Sequence, residues 1–474
     1  MDRRVVGLET EYGIALENLE TGEPTAGDLG SRTSTLFGRS MQAASTVWEY
    51  RANGSRLYRD AGDHPEYATA ECLSARDLVA QDRAGEEMLV RMSTALEQRG
   101  MRARIYKNNC DFTGHTYGCH ENYQAPVELR AEVLRSVLVP FLCVRALMVG
   151  AGHLPANRTS SDVGNVERSQ RHRWMEKDYT MSSTTIRGFI LWRDEPLADR
   201  TRWWRVQLLC GDSNMSERSV WLKVGTTMLM LRMLEDERVQ WKEVRLADPA
   251  HSAVSCSQRP EDPLLLASKK KVKPLSLLEY FYQKAAAYVA ERGGSAEEHE
   301  ILRWWGLVID ALKSDPDRLV GILDWATKRA LLMRAADRHG WEWTDARLDL
   351  LALKYHELGS GLARRLEAAG SLDRVVDDDA VTEALVRPPA NTRARLRGAA
   401  IRYAQENHAT MAVSWETLTV MRAYGSREGR TFRLPDPQKH DLSTMGEVFR
   451  ALRSANDPTM GRRTPVPFDV CTIR

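Results

Sequence analysis

The chain has 474 residues, 43% of them hydrophobic and 28% charged, and its 67 basic and 65 acidic residues leave a net charge of +2. Such a length can bury a large core and form two or three domains. The near balance of charge argues against a dedicated nucleic-acid binder, and no apolar run is long enough to span a membrane. The N-terminus has no apolar signal region, and seven scattered cysteines without close pairs point to a reduced, cytoplasmic protein lacking a zinc site.

Residues 1–125 read as short strands joined by glycine- and asparagine-rich turns, with one helix near 76–99. Alternation along VVGLETEYGIAL places Gly7, Glu9 and Glu11 on one face and Leu8, Thr10 and Tyr12 on the other. Two carboxylates on such a face are costly if buried and unpaired; a divalent metal would offset that cost, whereas a solvent-facing edge would carry none. In RLYRDAGDHPEYATAEC, Arg56, Tyr58 and Asp60 share a face. After a turn at Ala61–Pro65, Glu66, Ala68 and Ala70 lie opposite to Tyr67, Thr69 and Glu71. If these strands are neighbours, Glu9, Tyr58, Asp60 and Glu66 converge. Oxygen ligands of this type suit magnesium, which commonly accompanies nucleotide phosphates. The sequence has no Walker-type loop and no dinucleotide fingerprint, so any ATP must be held by the sheet and by separate arginines.

KNNCDFTGHTYGCHENY and GDSNMSE read as polar loops, and His120 and Glu121 carry no mechanism by themselves. A helix is expected over 128–150, and strands near 185–192 and 204–210. Arg187 and Arg193 fall on one strand face, suited either to phosphate oxygens or to surface ion pairs, and Gln207 shares a face with Arg205. From 216 to about 370 the apolar spacing is helical, while 247–274, with its lysine run, reads as a long exposed connection. Pro388 and Pro389 mark a boundary between residues 1–385 and a smaller unit, 386–474, with a helix near 392–406 and shorter elements around Trp415. Strands first and helices later predict an α+β fold in which helices back an antiparallel sheet.

Nine ordered runs resemble the Pup ligases and their relatives, the Pup deamidases and depupylases. They are GLETEYG, NGSRLYRDAGDHPEYATAEC, DRAGE, YKNNCDFTGHTYGCHENY, SQR, RDEP, GDSNMSE, LKVGT and PPANTRARLRG, spanning residue 7 to about 398. The resemblance implies a glutamine synthetase-like catalytic domain, a curved antiparallel sheet cradling ATP and magnesium, followed by a small C-terminal domain. It implies that Glu9, Tyr58 and Glu66 hold Mg2+, that Asp60 is catalytic, and that Arg56, Thr69 and Trp415 contact ATP. Glu11, His120, Glu121 and Gln207 are further candidates to line the site. The implied activity is ATP-dependent coupling of a small protein modifier, Pup or Pup-like, through its C-terminal glutamate to lysines of target proteins. Only 39 residues separate Gly13 from Asn53, without the depupylases' long insertion, so the ligase pattern fits better than the hydrolase pattern. A non-catalytic tag- or nucleotide-binding relative is the third reading. It draws on Leu197 and Gln207, which stand where the family usually has histidine.

Overall fold

The computed structural model describes residues 3–43, 48–111, 114–181, 186–193, 195–239, 241–421 and 429–455, with the backbone alone at 39–43, 48, 192–193 and 241–242. Alternation builds the main sheet from eight strands: β1 (Val6–Glu11), β2 (Trp48–Tyr50), β3 (Arg56–Arg59), β4 (Pro65–Ala68), β5 (Cys119–Pro126), β6 (Lys177–Thr180), β7 (Gly188–Arg193) and β8 (Trp203–Leu208). Their order is β2-β3-β4-β1-β5-β8-β7-β6, and every pair is antiparallel except β6 with β7. The N-terminal apolar stretch does not continue as one strand. It breaks at Tyr12, and Gly13–Asn18 pairs instead with Met101–Tyr106 in a separate two-stranded sheet.

One face of the main sheet is packed by helices. Val6, Leu8, Tyr123, Ile190, Val206 and Leu208 are buried there in the largest apolar core, together with side chains of Val139–Val149, Glu217–Glu235, Pro274–Arg292 and Ala296–Ser314. Removing that much apolar surface from water is the main force fixing the sheet against the helices. The helix Ala75–Glu97 starts on Ser74, whose hydroxyl accepts from the Asp77 amide. It carries a glycine where an ordinary helix would not. A Cβ at Gly85 would lie 2.4 Å from the Tyr67 ring, so this glycine lets helix and sheet approach closely.

Two further elements differ from the sequence expectation. Leu29–Ala43 is helical, where strands and turns were expected. The supposed connection 247–274 contains the helix Pro249–Gln258, with Ser252, Ala253, Ser255, Cys256 and Ser257 buried, and a short pairing of Leu264–Leu265 with Lys271–Val272. Small residues allow that close packing but give almost no apolar period, which is why the pattern reads as loop. Beyond Pro389 a smaller core gathers Leu396, Ala400, Leu418, Val420, Leu434, Val448 and Leu452 between two helices and the three-stranded sheet Met411–Val413, Thr417–Met421, Gly429–Arg433. Among the described residues, no helix is long and apolar enough to cross a membrane.

Candidate active site

Strand register brings the acidic residues together. Glu11 pairs with Glu66, Glu66 with Tyr58, and Glu9 with His120, all on the face away from the main helical core. Carboxylate or imidazole donor atoms of Glu9, Glu66 and His120 lie within 4.8 Å of one another, as do those of Glu11, Asp60 and Glu66. Glu66 belongs to both groups and is 4% exposed. Burial, then the charges of Glu11 and Glu9, push its carboxyl well above the ordinary value, and the Tyr58 hydroxyl donates to it. Burial and then Glu11 also raise Asp60, whose Oδ1 accepts from the His64 amide at 2.6 Å. Crowded, partly buried oxygen donors that repel one another are what a divalent cation relieves.

A second set of side chains borders the acids. Gln207 donates its Nε2 to Glu9 at 2.7 Å, while its buried Oε1 accepts no hydrogen bond among the described residues. That orphaned oxygen fits a metal ion or a metal-bound water, although an amide, unlike imidazole, cannot carry a proton near neutrality. His120 lies 3.6 Å from Glu9 through Nδ1 and 4.0 Å from Glu11 through Nε2. On the other side, the Arg56 guanidinium sits 4.2 Å from the centre of the Tyr58 ring and 5.7 Å from that of Tyr50. Tyr50 in turn meets Trp415 of the small unit edge-on at 5.3 Å. The acids therefore lie beside a wall of aromatic rings and guanidiniums, an arrangement suited to phosphates at one end and a planar base at the other.

A sequence model of the family described as Pup-ligase protein matches residues 4–419. The chain belongs to the Pup ligase family. It is 35% identical over 446 residues to a Pup–protein ligase of Acidimicrobium ferrooxidans, covering 92% of this chain and 96% of the relative. Among solved structures, the crystal structure of the complex between the prokaryotic ubiquitin-like protein Pup and its ligase PafA matches with a TM-score of 0.87 and 29% identity, covering 97% of this chain and 93% of that one. The Pup ligase PafA in complex with ADP matches with a TM-score of 0.79 and 30% identity, over 89% and 93% of the two chains.

Within this Pup ligase family fold the remaining predicted residues separate. Glu121 is a correction: its side chain lies on the opposite face, 0% exposed, forked to Arg145 at 2.6 and 2.8 Å and accepting from Tyr123. Adjacent strand residues cannot both face one site, and His120 holds that side. Thr69 is buried, and its hydroxyl oxygen accepts from the Leu8 amide at 3.1 Å, tying down the strand that carries Glu9. Arg187 precedes β7 and stands 6.0 Å from the Trp174 ring; the side chain of Arg193 lies outside the described residues. Leu197 sits in the left-handed backbone region, with φ 53°, which is strained for a branched apolar residue.

Three residues at or near the site went unassigned in the sequence. Arg205 approaches Glu9 to 3.7 Å and donates to Asn122, as its shared face with Gln207 signals. His64, in the turn after Asp60, donates Nδ1 to the Tyr12 carbonyl at 3.0 Å and packs on Tyr117 at 4.3 Å. Arg171 of the SQR run is buried, donates to the Leu209 carbonyl and feels the charge of Glu11.

Proposed function

We propose that this chain is an ATP-dependent ligase that joins Pup, or a Pup-like modifier, to lysines of other proteins. The observation that carries the reading is the convergence of Glu9, Glu11, Asp60 and Glu66 beside Arg56 in a member of the Pup ligase family. An ionised carboxylate does not react with an amine, so the side chain of the modifier's C-terminal glutamate first takes the γ-phosphoryl group of ATP, releasing ADP. The lysine nitrogen then attacks the acyl carbon, phosphate leaves, and an isopeptide bond remains.

Phosphoryl transfer asks the protein for positioning and charge stabilisation. Glu9, Tyr58 and Glu66 would hold magnesium, which when bound neutralises phosphate charge. Arg56, with Arg187, takes phosphate oxygens, and Thr69 and Trp415 complete the ATP contacts. An ordinary lysine is neutral about once in a thousand molecules at pH 7. Asp60 removes its proton on attack, and burial beside Glu11 makes that carboxylate a stronger base than an exposed one. Residues 1–385 serve as the catalytic domain and 386–474 as a small C-terminal domain, a division supported by the separate apolar core that described residues such as Leu396, Leu418 and Leu452 share. The six described cysteines are free thiols, in keeping with a cytoplasmic setting.

Purified protein incubated with magnesium, ATP, a glutamate-ending modifier and a lysine-bearing protein should give a covalent adduct and ADP. Cleavage of existing conjugates without any adduct would make the chain a depupylase-like hydrolase instead. Absence of nucleotide turnover would leave a binding protein.

A further inference from the structure

Between β4 and the C-terminal unit runs a buried latch. Glu71, 8% exposed, accepts Arg393 Nε at 2.8 Å and Arg397 Nη1 at 3.0 Å, and Arg397 Nη2 closes the fork. Its main-chain carbonyl accepts from Thr392 at 2.9 Å. Arg397 is fully buried and reaches in two further directions. It donates to the Gly54 carbonyl at 2.7 Å and to the Trp415 carbonyl at 3.1 Å, and its guanidinium stands 4.8 Å from the centre of the Trp415 ring. Gly54 has φ +83°, and a Cβ there would lie 2.9 Å from both Pro388 and Ala394, so the turn before β3 is pressed against this segment.

A catalytic-sheet carboxylate therefore grips, through one guanidinium, both the backbone and the ring of Trp415. From there the row continues through Tyr50 to Arg56, Tyr58 and Glu66. Glu66 and Glu71 stand five positions apart on one segment, so it supplies an acid to each end of the row.

We propose that Glu71, acting through Arg397, is a positioning residue for nucleotide binding: it holds Trp415 against Tyr50, and the two rings form the wall that receives the purine base of ATP. This rests on the proposed contact between Trp415 and the nucleotide. Because Glu71 touches neither the phosphates nor the reacting atoms, its loss acts on nucleotide affinity and leaves the chemical step alone. Tyr50 is then a nucleotide-contacting residue in its own right.

The test is a double-mutant cycle in the full chain on KM for ATP, Kd for ADP and kcat at saturating ATP, with E71Q, W415L and the double variant. R397K serves in the same cycle if E71Q does not fold, since it keeps the charge but loses the fork. The expected result is that E71Q and W415L each raise KM and Kd on the order of tenfold, the scale of losing one base-stacking contact, with kcat nearly unchanged. The double variant should be no worse than W415L alone. Y50L should raise KM similarly while leaving the latch intact. If W415L weakens nucleotide binding and E71Q does not, or if the two effects multiply, the positioning role is overturned while the Trp415 contact stands. If W415L leaves KM unchanged, the nucleotide contact itself is wrong and the positioning role falls with it. A fall in kcat alone, with KM unchanged, would mean that Glu71 is merely structural.

Discussion

Glu66 and Glu71 are both buried glutamates on one short stretch of chain, and their surroundings push them in opposite directions. Burial and the neighbouring Glu11 and Glu9 raise Glu66 well above its ordinary value of 4.5. Burial would raise Glu71 too, but the Arg397 and Arg393 guanidiniums hold it at about 2. At the latch guanidiniums answer the charge of Glu71, whereas in the acid cluster Glu66 faces other carboxylates. A buried charge matched by the protein's own cations builds architecture; one left among like charges marks a place for a cation from outside.

The largest expected effect sharpens the acidic side. D60N should lower ligation on the order of 10²–10⁴-fold, the usual worth of a positioned general base, with an unchanged circular dichroism spectrum. Turnover close to wild type would remove Asp60 from the chemistry. Next comes the latch: E71Q leaves two buried guanidiniums without their carboxylate and should cost about 3–5 kcal/mol, read from denaturant midpoints. E66Q should do the reverse, raising the melting temperature in metal-free buffer at pH 7, because it removes a charge that the fold does not balance. If both substitutions destabilise alike, the contrast between the two glutamates is broken. Smaller still, Q207A frees Glu9 from its amide partner and should raise the magnesium concentration needed for half-maximal activity about 10–100-fold, as loss of an outer-shell partner does.

The site floor was legible in the sequence because strand alternation is strict. Once β1, β3 and β4 are neighbours, Glu9, Tyr58 and Glu66 must share a face, and they do. The closure of Gln207 onto Glu9 needed the order β1-β5-β8, which local spacing does not contain. Glu121, a candidate to line the site, pairs instead on the helical side with Arg145, 24 positions later, a partner that local spacing does not report. The Glu71–Arg397 fork joins residues 326 positions apart, and no periodic pattern reports such a pair. The helix Pro249–Gln258 was hidden for a different reason, since its buried face is made of serine, alanine and cysteine.

The melting temperatures of wild type and E66Q across pH, with and without magnesium, test the central claim most directly. A carboxyl raised in the folded state stabilises below its ordinary value and loses that contribution as pH rises through its folded value. Glu71 behaves oppositely, losing its contribution only as pH falls toward 2, so it does not interfere above 4.5. Without magnesium, wild type should lose stability relative to E66Q as pH climbs from 4.5 toward neutrality; magnesium should restore it in wild type and do little for E66Q. If the two proteins run parallel with pH and respond equally to magnesium, the acid cluster is balanced from within and is not a cation site.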